Sequence, residues 1–511
     1  VKCTVSLLLV PLPAHCAAGS VISHMGESGE VEMAKGKATT TAKKPPSSRG
    51  RARKTDGPIE LGSRRELFID DFLIDRMQNV ELRLQKPVPR NVAIDHDVPW
   101  EGNTCCYHTV LQDAKLFRMY FRGSHYDPDS NSIGRQIVGY AESRDGIEWE
   151  RPELGLVNSQ GSTKNNIIWD GVGSHNFTPF RDTNPNCREG EQYKALGGSW
   201  GSLHAFKSPD GIHWSMIQKR PVITEGAFDS QNLAFWDPLR GCYVDFHRHF
   251  TMVDGQRVRH IMTCTSKDFR KWTKPKWIDF GDTPMEHLYT NAVTPYARAP
   301  HIYMGFPKRF VPGRSMYGHQ HNGMSDAVFM SSRDGVKFKR WTEAFVRPGL
   351  QPERWENRNN MTAWGILETA NDLPSAPKEL SIYTTEGYYR GDGCRLRRFT
   401  LRADGFVAAN APLKGGELVT RPFTFEGNRL GLNVATSAAG SARVEIQDGD
   451  GKALKGFALR DSDEIYGDTL DRTVTWKGSA DVAALSGKPV RLRFALSDAD
   501  LYSLQFSQTP G

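Results

Sequence analysis

The sequence predicts an all-β chain, a five-bladed β-propeller followed by a C-terminal β-sandwich. Three observations carry this expectation: a turn motif recurs through the middle of the chain, a short strand-like run precedes each copy, and after residue 412 the texture changes to apolar–polar alternation broken by glycines. Aromatic residues make up 10% of the chain and glycine contributes 48 of its 511 residues, the mixture that pleated strands and tight turns draw on.

The repeated motif reads S-x-D-G-x-x-W/F. Its copies are Ser143-Arg-Asp145-Gly-Ile-Glu-Trp149, Ser208-Pro-Asp210-Gly-Ile-His-Trp214, Ser266-Lys-Asp268-Phe-Arg-Lys-Trp272 and Ser332-Arg-Asp334-Gly-Val-Lys-Phe338, with a weaker fifth, Arg402-Ala-Asp404-Gly-Phe406. The aspartates stand about 60–70 residues apart, enough for one four-stranded blade with generous loops. The runs IVGYAES, LHAFKS, IMTCTS, AVFMSS and LRRFTL precede the turns, and a further strand run lies upstream of each: KLFRMYFRG, QYKALGG, GCYVDFHRH, HIYMGFP and ELSIYTTEGYY. A strand, an Asp-Gly turn and an aromatic form a hairpin signature, in which Ser and Asp bond the turn backbone, Gly takes a positive φ and the aromatic packs between sheets. The motif residues are therefore read as structural. Each blade is expected to run inner strand, aromatic second strand, third strand, turn and outer strand. No long 3.6-residue apolar period competes with this reading.

The flanking regions complete the layout. Residues 413–511 alternate apolar and polar positions around Gly-rich turns, which predicts the sandwich. Its expected work is support of the propeller or carbohydrate binding. At the N-terminus Lys2, the apolar run from Val5 to Pro13 and the small residues Ala17-Ala18-Gly19-Ser20 resemble a secretory signal over residues 1–24. Met25 and Met33 are alternative starts that would remove it. Residues 25–58 read as a disordered basic linker. The formal net charge of +7 comes from its stretch 35–54, which is dense in Lys and Arg without an acid. The propeller is expected over 59–412. Without the basic stretch the chain is near neutral, so no nucleic-acid partner is expected. No apolar run is long enough to span a bilayer. The expected location is secreted or periplasmic. The eight cysteines show neither CxxC nor zinc spacing; buried free thiols are expected, and one or two disulfides remain open.

With its S-x-D-G-x-x-W turns in successive blades and a sandwich behind them, the chain resembles the five-bladed glycoside hydrolases of families 32, 43 and 68. LFIDDFLID (67–75) and GYAESRDGIEW (139–149) are similar to bacterial family-32-like proteins. The resemblance covers about residues 60–511. Sialidases carry a related Asp turn with different Asp–Gly spacing, a looser match. The resemblance implies carboxylates from the innermost strands of early blades facing a central funnel: one as nucleophile or base, one as general acid, one orienting the sugar. Protonating the leaving oxygen and attacking the anomeric carbon happen on opposite sides of the ring, which is why a pair is needed. The hallmark sequences WMNDPNG, RDP and Glu-Cys-Pro are absent, so candidates come from position alone.

The segments just before each blade's second strand supply them. Blade 1 offers Glu101, following Trp100. Blade 2 offers His175 or Asn176, unless Asp182 reaches in. Blade 3 offers Asp229 beside Ser230, Gln231 and Asn232. Blade 4 offers Glu286 to Asn291, and blade 5 offers Trp355 to Asn360 with Glu368 just after. Glu101 and Asp229 are expected as principal carboxylates, followed by Glu356, with Glu286 and Glu368 in reserve. Expected substrate contacts are Trp100, His175, Asn176, Gln231, Asn232, Arg248, Glu286 and Arg390, with His249 beside them. Trp236, Trp355 and Trp364 are, with Trp100, candidates to stack on a sugar ring, and each candidate has a plainer alternative: a turn acid, a blade-packing Arg or His, or a core Trp. No metal ligands and no cofactor are expected, although the resemblance allows one structural ion in the central channel. Two functions follow: a glycosidase acting on an oligo- or polysaccharide, or a non-catalytic propeller that binds carbohydrate or protein. The first needs two carboxylates facing one funnel, roughly 5–5.5 Å apart for retention or 6.5–9.5 Å for inversion.

Overall fold

Five antiparallel sheets succeed one another along the chain in the computed structural model, which describes residues 57–199, 201–316 and 322–508. The signal-like segment and nearly all of the basic linker lie outside the described residues. Blade 1 comprises Cys106–Asp113, Leu116–Gly123, Ile137–Ser143 and Ile167–Trp169; blade 2 comprises Thr178–Arg181, Tyr193–Ser199, Ser202–Ser208 and Ser215–Met216. Blade 3 comprises Leu233–Asp237, Cys242–Val253, Gln256–Ser266 and Lys276–Trp277. In blade 4 the first two strands are each broken, His287–Leu288 with Thr294–Tyr296 and Ala299–Gly305 with Lys308–Val311, before Met324–Ser332 and Phe338–Val346. Blade 5 contains Leu367–Thr369, Glu379–Glu386 and Arg395–Leu401. The expected five-bladed propeller is thus observed, with the predicted strand order in the first four blades.

The last blade departs from the local grammar. Its outer strand is Val88–Asp95, some 300 residues upstream of its partner Arg395–Leu401, with Leu396 facing Ile94. Borrowing this strand from the start of the propeller joins its two ends and closes the ring of blades. The strand after the fifth turn, Val407–Ala411, instead pairs with Arg491–Ser507 and Glu81–Leu84. These join Glu66–Leu67, Ile74–Gln78, Gly416–Thr420, Arg429–Gln447 and Asp468–Thr473 in one eight-stranded hydrogen-bonded sheet. The sheet has its own core, including Leu432, Val444, Trp476 and Phe494. Residues 74–84, which local pattern places with the propeller, are therefore paired with the C-terminal strands. The six described cysteines are free, and all but Cys187 are buried.

The four strong turn copies are superposable in their bonding. Ser143 Oγ accepts from Gly146 N at 2.8 Å while Asp145 Oδ1 accepts from Ile147 N and Glu148 N at 2.7 and 3.0 Å. Ser208/Asp210, Ser266/Asp268 and Ser332/Asp334 repeat this. Gly146, Gly211 and Gly335 take φ of 74°, 81° and 70°, and Phe269 holds the same place at 62°. A left-handed non-glycine costs about 1 kcal/mol; Phe269 offsets it by full burial against Phe180, Tyr243 and Trp272. The turns also fasten blades together: Trp149 meets Tyr383 of blade 5 edge-on, and Trp214 meets Tyr120 of blade 1. In the fifth copy Asp404 does not cap its own turn. Its carboxylate accepts from Tyr296, Arg298 and Ser503 and ties the propeller to the C-terminal sheet. Replacing Asp210 with Ala is expected to lower unfolding free energy by about 1–2 kcal/mol, because two backbone donors lose their acceptor. Denaturant unfolding checks this, with ligand binding by the folded protein unchanged.

Candidate functional site

Lead-in segments from all five blades converge on Asp229. Its Oδ1 lies 2.8 Å from His175 Nε2 of blade 2 and accepts from the Tyr289 hydroxyl of blade 4 at 3.3 Å. Tyr289 in turn shares a 2.9 Å hydroxyl contact with Tyr107 of blade 1. Arg358 of blade 5 places its guanidinium 5.6 Å from the Tyr289 ring centre and contributes to the field on Asp229. Burial alone would raise the Asp229 carboxyl. The His175 hydrogen bond and the Arg358 and Arg248 charges outweigh it and hold the group well below the usual carboxylate range. Its side chain remains 30% exposed. Asp229 is therefore an ionised, solvent-reachable carboxylate at the hub.

The surroundings are aromatic and cationic. Cys106, Tyr107, Tyr289, Met361 and Tyr388 form a buried floor against which Tyr389 packs. Tyr107, Arg358 and Tyr389 have φ of 55°, 71° and 69°. Each such non-glycine conformation costs about 1–3 kcal/mol and persists where the surroundings over-determine it, a pattern concentrated at functional sites. Tyr107 sits where the register between the first two strands of blade 1 shifts, between Cys106 and Thr109, a bulge that re-aims a side chain. His175 also contacts Gln136 through Nδ1 at 3.0 Å, and beside it opens a cavity of about 250 Å³ lined by Gln136, Val172, Ser202 and His204. Burial pushes the His175 imidazole down, and its hydrogen bond to Asp229 only partly offsets this.

The other expected residues fall into different roles. Glu101, expected as a funnel carboxylate, has a fully buried side chain held by Arg151 Nε at 3.0 Å and His96 Nδ1 at 2.7 Å. His96 Nε2 continues to His108 Nε2 at 2.9 Å. Burial opposes charge on both members, but their attraction prevails. Glu101 is held below its ordinary range, while Cys105 and Glu101 raise His96 to about 10. Glu356 is buried, and its Oε2 accepts from Arg390 Nε at 2.9 Å. Glu286 accepts from Arg309 and Arg340, and Glu368 pairs with Arg298 at 3.5 Å.

The amides do structural work. Asn176 gives its NH₂ to the carbonyls of Phe228 and Ser230 and accepts from Gly198 N. Asn232 clamps the same two carbonyls, and Gln231 reaches across to Tyr107 O and His108 O at 3.2 and 3.0 Å. All three are fully buried, and Asn176, Gln231 and Asn232, expected as substrate contacts, hold backbone carbonyls that fix the lead-ins. Arg248 donates Nε to Ala227 O, and its guanidinium stacks on Tyr289 at 4.9 Å. His249 stacks on Trp277. Trp100 donates to Asn166 and Trp364 to Val293 O, while Trp236 packs on Tyr243. Sequence reading passed over Arg122, Arg259 and Lys308. They lie within ordinary strand runs, and nothing local distinguishes them from solvent-facing bases.

Among the described residues two clusters bring together side chains of metal-ligand type, His96–Glu101–Cys105 and Asp245–His247–Cys264. In each, His and carboxylate are in direct hydrogen bond, at 2.7 and 2.5 Å. Two ligands of one tetrahedral ion with bonds near 2.0 Å would stand over about 3 Å apart. The contacting atoms are those of hydrogen-bonded pairs, too close together to serve jointly as ligands of one ion.

No protein-family model matches the chain, and no curated protein matches its sequence. Solved structures that it resembles include one titled glycoside hydrolase, at 13% identity and TM-score 0.40, covering 61% of this chain and 92% of that one. Another is a putative glycosidase from Bacteroides thetaiotaomicron, at 13% identity and TM-score 0.36, covering 61% and 93%. A third is the catalytic domain of a Coprinopsis cinerea family 62 α-L-arabinofuranosidase, at 10% identity and TM-score 0.41, covering 62% and 97%. The assignment of the propeller rests on the strand pairing itself.

Proposed function

We propose that the chain is a glycoside hydrolase whose reaction takes place at the propeller hub, acting on an oligo- or polysaccharide. The observation that carries this reading is Asp229, an ionised and partly exposed carboxylate at the meeting point of five lead-ins. In that role it serves as nucleophile or as base toward water. Its hydrogen bonds from His175 and Tyr289 fix the carboxylate plane. Glu356 is the proposed second carboxylate, presently engaged by Arg390, whose own side chain is 40% exposed. The C-terminal strands, read as a sandwich, support the propeller. The signal-like N-terminus favours a secreted or periplasmic place of action, and no helix among the described residues is long and apolar enough to cross a membrane.

A second reading, a glycan-binding propeller without catalysis, is favoured by one observation: Glu101 and Glu356 are both closed by arginines. Incubating the purified protein with a broad glycan panel separates the two. Release of reducing sugar, lowered about a hundredfold or more by Glu356→Gln, supports hydrolysis by the pair. Release unaffected by Glu356→Gln removes that residue from the reaction. Binding without release from any glycan establishes the second reading.

A further inference from the structure

Four basic side chains surround the Tyr289 ring: Lys308 Nζ at 4.3 Å from its centre, Arg248 at 4.9 Å, Arg358 at 5.6 Å and Arg259 at 5.8 Å. Arg122 adjoins them through Tyr107, over whose ring it lies at 5.1 Å. Asp229 is the carboxylate in contact with this group, bonded to Tyr289 and His175 and not to any of the bases.

The rest of the molecule treats buried cations differently. Lys194, Arg340, Arg354 and Arg398 are buried and each is ion-paired, to Asp182, Glu286, Glu386 and Asp372 respectively. Arg122, Arg248 and Lys308 are also buried but have no carboxylate within ion-pair distance among the described residues, and all three lie at this hub. Arg259 and Arg358, partly exposed, have none either. The Nε groups of Arg122, Arg259 and Arg358 find no hydrogen-bond acceptor. Burying unpaired charge is costly unless a counter-charge completes the site. Burial first, and then the neighbouring guanidiniums, push Lys308 and Arg259 below their usual ranges.

We infer that the hub recognises an anionic substituent, a carboxylate or a sulfate ester, on the sugar it binds, with Arg259 and Arg358 as its first contacts and Arg248 and Lys308 behind them. The planar guanidinium fork matches both groups. The assignment of the ligand as a sugar rests on the function proposed above; the requirement for an anion rests on the arginines without a carboxylate partner.

Calorimetry with three tetrasaccharides tests it: an oligogalacturonate, a sulfated galactan fragment and a neutral galactan fragment. At least one acidic probe is expected to bind roughly tenfold tighter than the neutral one, about 1.4 kcal/mol, and to lose that margin at high salt. Which acidic probe binds identifies the group. Arg259→Gln and Arg358→Gln are each expected to remove most of the margin, read as the ratio of acidic-probe to neutral-probe affinity within the same variant. Arg259 is partly exposed on a hairpin, so its variant keeps the test usable if Arg358→Gln does not fold. Neutral binding as tight as both acidic probes at low salt, or an acidic margin untouched by the folded variants, overturns the inference. Acidic preference without hydrolysis leaves it standing and removes the hydrolase reading. Hydrolysis of neutral glycans without acidic preference does the reverse.

Discussion

Asp229→Asn is expected to reduce glycan hydrolysis by about 10²–10⁴-fold, the range set by loss of a positioned acid–base or nucleophilic carboxylate. The substitution is nearly isosteric. Oδ1 still accepts from His175 Nε2 and from the Tyr289 hydroxyl, so the hub geometry is retained. What disappears is the negative charge among Arg248, Arg358 and their neighbours. Binding of an acidic glycan should therefore persist in the variant while turnover is lost. Because the folded carboxyl is held below its ordinary value, it is already ionised throughout the mildly acid range. An acid limb in the pH–rate profile between about pH 4 and 6 then reports a different group. By the same shift, its contribution to stability is present above the unfolded value near 4 and is lost as pH falls through the lower folded value. A folded Asp229→Asn protein that turns over at the wild-type rate would remove Asp229 from the reaction.

Glu101→Gln is expected to act on stability instead. The carboxylate is sealed between Arg151 and His96, with a fully buried side chain, and breaking such a pair on one side costs about 3–5 kcal/mol. Denaturant unfolding should show a loss of that order. The pH dependence of the wild type gives a second signature. Glu101 is lowered, so its contribution is present above the unfolded value near 4.3 and is lost as pH falls. His96 is raised to about 10, so its contribution is complete below about 6.5 and is lost as pH rises toward 10. The pair stabilises most between about pH 4.5 and 6.5, and Glu101→Gln should flatten both flanks. Unchanged stability together with lost hydrolysis would instead return Glu101 to the reaction.

Both residues read alike from sequence: each is an acid at a blade lead-in beside residues suited to a sugar site. What separates them is the company brought by distant chain. Arg151 and His96 close over Glu101 from within the first blade and its approach, whereas His175, Tyr289 and Arg358 leave Asp229 partly open at the axis. Asn176, Gln231 and Asn232 were legible as a polar cluster, but their donors are spent on carbonyls of Phe228, Ser230, Tyr107 and His108. Those partners come largely from turns that the lead-ins themselves form and from the opposite side of the hub.

The repeated unit is legible in the chain before any folding, because each S-x-D-G-x-x-W turn is built from bonds within five residues and an alternating strand needs only its own pattern. The same locality located the five lead-ins that meet at the hub. Ring closure by Val88–Asp95, the pairing of residues 74–84 with the C-terminal strands, and the capture of Asp404 by Tyr296 and Ser503 were decided only by tertiary structure. So was the gathering of Arg122, Arg248, Arg259, Lys308 and Arg358 about two tyrosines. Each of these joins residues far apart in the chain, and charge, burial and exposure belong to the assembled neighbourhood, which no local segment contains.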